Sequence, residues 1–340
     1  NTRMIIDSNS RISLSNNDAG GTGGTDSTSG NTILGYLSGA SVASGGLENT
    51  FLGHKAGNSI STGDGNTLIG SNCATAWDAE INNTAVGHDA MNGGVNGADS
   101  CVAIGKSALA GAVTQDGTVA VGASALGALT TGARNIAIGY QALLVADGAE
   151  SDNIAIGYQA MDSSNNDSIV RNIAIGSYAL DDMATNVGTD NIAIGYNALT
   201  DATTGDGTVG VGSYALAGLT SGAGNVAVGY QAGAALTASN YNTLVGHQAG
   251  VALPSGAHTN TAIGYQSLTA GNNATTDHNT CVGYASGDVI TTGTYNTIIG
   301  SGADPSAVGA QNQTVIGYDV TGLADNSVTL GNASVDDVYM

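Results

Sequence analysis

Apolar and polar positions along the chain follow one short phrase that returns from end to end. NTILG at 31–35, NIAIG at 135–139 and NTIIG at 296–300 are three of its eighteen copies. Taking the closing glycine as position 0, the copies run from Gly35, Gly53 and Gly70 to Gly300, Gly317 and Gly331. The steps are 17 to 19 residues, with a last step of 14. Position −3 is Thr, Val or Ile in every copy, and position −1 is Ile, Val or Leu. Residues two apart share one face of a strand, and β-branched side chains favour that conformation. The pattern predicts a short strand per repeat with −3 and −1 facing inward. Position −2 is Ala in nine copies, as at Ala137, Ala155, Ala174 and Ala193, so the opposite face is expected to be closely covered as well.

A second phrase, typically GYQAL or GSYAL, follows each glycine, with a small residue at +3 in seventeen copies and Val320 in the other. It reads as a second short strand beyond a glycine bend, with +4 a further inward position. The rest of each repeat is Gly, Asp, Asn, Ser and Thr, which is turn chemistry. About 17 residues are too few for the helical repeat families. The expected fold is therefore all-β, a parallel β-solenoid of about 18 rungs of 17–19 residues. At about 4.8 Å per rung such a rod is on the order of 85 Å long. Residues 1–30 form N-terminal strands and a Gly/Ser/Asp-rich linker, 31–335 the repeat domain and 336–340 a tail. So thin a roll is poorly shielded, and the small-residue columns at −2 and +3 suit close approach by another chain. The expected assembly is a homo-oligomer, most simply a trimer about the rod axis.

Composition narrows the partners. The 340 residues carry 27 acids and 6 bases, for a net charge of −21, and no Lys or Arg follows Arg171. Phosphate-rich partners need Lys and Arg, which argues against nucleic acid and acidic membranes. No apolar run approaches the roughly 18 residues of a membrane helix, so membrane insertion is not expected. Three cysteines at irregular spacing indicate neither a disulfide framework nor a C-x-x-C metal site.

The phrase N-[TIV]-A-[IV]-G followed by a small residue at +3 resembles the head repeats of trimeric autotransporter adhesins, the YadA-like head. The resemblance covers about residues 31–335. It implies a left-handed parallel β-roll assembled as a homotrimer, with the longer repeats of this chain projecting extra loops. Two further phrases resemble phage tail fibres. NSVTLGNASVDDVYM is similar to the segment before their intramolecular chaperone, and RMIIDSNSRISLS to their short opening strands.

The candidate site residues are aromatic. Tyr occupies position +1 in many repeats, and Tyr140, Tyr158, Tyr196, Tyr230 and Tyr265 form a candidate glycan-stacking ladder. Identical columns in a solenoid also stack on one another, which is the simpler reading. His54, His88 and His247 share that column, while His258 and His278 fall in loops; no spacing among them suits a metal. Asn opens thirteen of the eighteen phrases and is expected to form an amide ladder. Cys73 and Cys281 stand in Ala columns and Cys101 in the Asn column, as small buried residues. Asp78/Glu80, Glu150/Asp152 and Asp181/Asp182 are carboxylate pairs close in sequence, and glycosidases use two carboxylates, but these lie in variable loops where Asp also serves turns. No catalytic residue is assigned. No cofactor is expected, with calcium in an Asp-rich loop the one candidate, although no EF-hand or G-G-x-G-x-D pattern occurs. Gly205–Gly210 matches G-x-G-x-x-G but leads into a strand, which removes the dinucleotide reading. Residues 207–276 contain no Asp, Glu, Lys or Arg, a local asymmetry on an acidic chain.

These readings converge on a non-enzymatic, extracellular or virion-surface fibre. It would attach to a host-surface glycan or protein receptor through loops on a rigid scaffold. A bacterial adhesin of the autotransporter type and a purely structural extracellular filament are the alternatives.

Overall fold

The computed structural model describes residues 30–335 except 44, 94–96, 112–113, 147, 164–168, 183–187, 203–204 and 272–275. The expected N-terminal strands before Gly30 and the tail 336–340 lie outside the described residues. Two compact units divide the chain, one up to Arg134 and one from Asn135. The first holds β1 (Thr32–Leu34), β2 (Thr50–Leu52), β3 (Thr67–Ile69), β4 (Thr84–Val86), β5 (Val102–Ile104) and β6 (Val119–Val121). The second holds twelve strands, from β7 (Ile136–Ile138), β8 (Ile154–Ile156), β9 (Ile173–Ile175) and β10 (Ile192–Ile194) through β11 (Val209–Val211), β12 (Val226–Val228), β13 (Thr243–Val245) and β14 (Thr261–Ile263) to β15 (Thr280–Val282), β16 (Thr297–Ile299), β17 (Thr314–Ile316) and β18 (Val328–Leu330). No helix occurs among the described residues. Within each unit every strand pairs in parallel with the next one in sequence, column on column, as Ile154 on Ile173 and Ala155 on Ala174. The fold is a parallel β-solenoid.

The structure reverses the expected faces of the strand. The middle residue, at −2, points inward: Ala137, Ala155, Ala174, Ala193 and Phe51 are fully buried. The flanking −3 and −1 residues point outward, and Ile138, Ile194 and Ile263 are each close to two-fifths exposed. A rung of 17 residues encloses little volume, so the interior takes small side chains from −2 and +3. Larger ones enter only where a neighbour yields. At +4 stand Leu143, Met161, Leu180 and Leu199, all buried, opposite rungs whose −2 residue is Ala. Where −2 is Ile33, Phe51 or Leu244, +4 is Gly: a Cβ on Gly57 would lie 2.9 Å from Phe51, and one on Gly250 would lie 2.8 Å from Leu244. Interiors are packed to crystal density, and this exchange of volume between two columns keeps them so. A further inward column at +7, with Ile60, Trp77, Leu129, Leu219, Leu236, Leu253 and Ile290, sits in segments that read as turns from their composition.

The expected second strand is absent. Residues at +2 and +4 take left-handed φ, as at Gln141 (+55°), Leu143 (+52°), Tyr178 (+57°) and Leu180 (+54°), so the chain after the glycine coils in successive turns. These turns still bond rung to rung. Gln159 N donates to Tyr140 O at 3.0 Å, and Leu143 N to Ala160 O at 2.9 Å.

The amide ladder is present at −4. Asn242 Oδ1 accepts from Asn260 N at 2.9 Å, and Asn242 Nδ2 donates to Ala257 O at 2.8 Å. Each buried Asn thereby satisfies backbone groups of its own and the adjacent rung, which a buried strand end requires. The three cysteines are buried and free. Burial pushes the Cys73 thiol up to about 12 and raises those of Cys101 and Cys281 too, which keeps them unreactive.

Candidate functional site

One column of the second unit gathers the predicted site residues. Position +1 follows the bend glycine, whose φ near +140° turns the chain out of the strand and leaves the next side chain standing at the surface. Tyr140 and Tyr158 stack with centroids 5.4 Å apart and planes 14° from parallel. In the following rungs the aromatic alternates between +1 and +2, because Ser177 and Ser213 take +1 and pass the ring to Tyr178 and Tyr214. The rings there turn edge-on: Tyr158–Tyr178, Tyr178–Tyr196, Tyr196–Tyr214 and Tyr214–Tyr230 meet at 68° to 85°, 5.4 to 6.3 Å apart. From Tyr230 the column is parallel again through His247, Tyr265 and Tyr284, at 5.1 to 5.3 Å. All five predicted tyrosines therefore stand in one ladder of nine consecutive rings.

The ladder is a surface feature as well as a packed one. Tyr140, Tyr158, Tyr196, Tyr230 and Tyr265 are each between two-fifths and one-half exposed. Offset and edge-on aromatic pairs are each worth about 0.5–1.5 kcal/mol beyond area burial. Burial and the neighbouring phenols raise the Tyr178 and Tyr214 hydroxyls. Beside it, position +2 forms amide chains that the sequence reading did not single out. Gln159 donates to Gln141 at 3.3 Å, Gln248 to Gln231 at 2.9 Å and Gln266 to Gln248 at 2.9 Å. The recurring Gln of GYQA was the available signal.

The histidines divide. His54 stacks on Tyr36 at 5.7 Å, and His247 lies between Tyr230 and Tyr265, as ring replacements. His88 instead pairs with Asp89 at 2.7 Å. His258 accepts the Asn240 N–H on Nδ1 at 3.0 Å, and His278 stacks on Tyr295 at 4.9 Å. Among the described residues no group of three or more His, Cys, Asp or Glu converges as a metal site, and no helix is long and apolar enough to cross a membrane.

Each carboxylate pair joins an exposed member to a more buried one. Glu80 is buried and accepts the Asp78 N–H at 2.7 Å and the Gly97 N–H at 3.2 Å, while the exposed Asp78 carboxylate takes the Ser61 hydroxyl. They line a cavity of about 180 Å³ with Ala79, Gly97 and Asp99, smaller than the few hundred Å³ of ordinary ligand pockets. Glu150 is fully buried and accepts the Gly148 N–H at 3.0 Å, with Asp152 exposed. Burial and the adjacent Asp162 carboxylate push Asp181 up to about 6, and burial with Asp288 does the same to Asp304. Arg171 holds Asp190 in a forked pair at 2.7 and 2.8 Å and lowers its carboxyl.

The fold and the ladder define a parallel β-solenoid repeat protein with an aromatic ridge. No protein-family model matches the chain, and no curated protein is significantly similar to it in sequence.

Proposed function

We propose that the chain is the rod of a non-enzymatic homotrimeric fibre, extracellular or on a virion, that attaches to a host-surface glycan or protein receptor. The observation that carries the reading is the outward strand face. Its two columns, −3 and −1, contain only Thr, Val, Ile and Leu in all eighteen repeats, on a chain of net charge −21. A contiguous apolar face of that kind on a soluble protein marks a contact surface. Like-charged chains meet at low electrostatic cost only along uncharged strips. In the second unit, twelve three-residue strands give a strip of about 55 by 10 Å, on the order of 550 Å². That is most of the roughly 800 Å² per partner in a standard interface. The proposed subunit contact lies on −3 and −1 and not on the Ala columns, whose side chains are buried. The number three, and attachment as the task, come from the resemblance of the repeat phrase to adhesin heads and of the terminal phrases to phage fibres. Loops and ladder on a rigid scaffold are where such a fibre carries recognition.

The reading is tested by incubating the protein with whole host cells and with their purified surface polysaccharide. Co-sedimentation with cells and an unchanged polysaccharide size are expected. A shortened polysaccharide identifies a depolymerase, and absence of binding to any cell leaves the structural filament.

A further inference from the structure

One stretch of the ladder differs from the rest. From Gly207 to Thr276 no Asp, Glu, Lys or Arg occurs. Here Tyr230, His247 and Tyr265 stack within 30° of parallel, 5.1 and 5.3 Å apart. Alongside them, Gln231, Gln248 and Gln266 form an unbroken amide chain with both links at 2.9 Å. Each Nε2 has two protons and the chain engages at most one, so every rung keeps donor capacity next to a ring.

We infer that this stretch binds a neutral, linear polysaccharide of β-linked hexopyranose units, laid along the solenoid axis with one sugar per rung. The ring spacing is about the length of one residue in an extended β-linked glycan, so polymer and ladder stay in register over several rungs. A pyranose has an apolar C–H face and a hydroxylated edge; the rings stack on one another, so each rung offers the outward part of its ring, with an amide beside it for the hydroxyls. The uncharged rungs suit an uncharged ligand, and the net charge of −21 repels uronic, sialic or phosphorylated chains. The inference rests on the attachment reading and specifies its ligand class.

The test is calorimetric titration of the full chain, at verified solution mass, with cellohexaose, maltohexaose and polygalacturonate. Cellohexaose is expected to bind, cellobiose more weakly, and the coiling α-linked and the anionic polymers not at all. Tyr230→Ala with Tyr265→Ala is expected to lower the affinity about tenfold or more. Gln248→Ala, which leaves the rings in place, lowers it severalfold, and Tyr265→Phe retains it. Absence of cellohexaose binding, or equal affinity in the tyrosine variants, overturns the inference. So does a changed solution mass in those variants, since it would put the ladder inside the subunit contact. Cell binding without cellohexaose binding overturns this site alone, whereas loss of both removes the attachment reading too.

Discussion

The bend glycines from Gly35 to Gly317 all have φ between +132° and +147°, a region reserved for glycine. A Cβ on Gly157 would also lie 2.5 Å from Gly176 O in the next rung, where backbone cannot yield. Gly157→Ala is therefore expected to cost about 2–4 kcal/mol in urea unfolding. Gly207→Ala, at φ +61° with nothing within 4 Å of the added Cβ, should cost only about 1 kcal/mol. Equal costs would show that neither the φ near +140° nor the rung contact constrains the bend. A second residue-scale effect concerns Asp181 and Asp304. Both bind protons more tightly folded than unfolded, so their ionisation opposes folding. Stability should fall as pH rises from about 4, the ordinary carboxylate value, through about 6, and level off above that. Asp181→Asn should raise Tm at pH 7 and flatten this slope, as thermal melts across that range would reveal. An unchanged slope would place Asp181 in open solvent.

At the scale of the rung, the repeat period, the strand positions and the Asn ladder were all legible in the sequence, because each is a column of one residue type. The faces were not. Thr, Val and Ile at −3 and −1 read as core and Ala at −2 as the outer face covered by another chain, since larger apolar residues usually go inside. The narrow rung inverts this. In most rungs its interior accepts Ala at −2 and one Leu at +4, while the β-branched residues of −3 and −1 stay outside. The turns after the glycine were also hidden, because Gln, Tyr and Leu occupy left-handed positions where Gly or Asn would have announced them. The tyrosine ladder was readable as a column, but not the switch to edge-on packing at Tyr178 and Tyr214. Gly210 tests the inverted face directly. Its Cβ would lie 3.1 Å from Leu199 Cγ. Gly210→Leu should destabilise by about 1–3 kcal/mol through overpacking. Adding Leu199→Gly, at a φ of +52° that glycine accepts, should recover part of that loss as a measurable coupling energy. Additive costs would contradict an inward position −2.

Over the whole molecule, neighbouring rungs contact mainly one another, so each unit gains stability nearly additively along its length. The strand face left outside is the feature that the isolated chain does not explain. Ile138, Ile194, Ile263 and Ile316 each expose close to two-fifths of their surface in one column of the second unit. A triple substitution to Lys at Ile138, Ile194 and Ile263 should leave the rung interior intact and place charge in the proposed contact. The most direct measurement is the solution mass by light scattering, over a range of protein concentrations, for the natural chain and this variant. The account predicts a concentration-independent mass near three times 33.2 kDa for the natural chain, and a folded species of lower mass for the variant. A natural chain that stays at the mass of one copy at every concentration would contradict it.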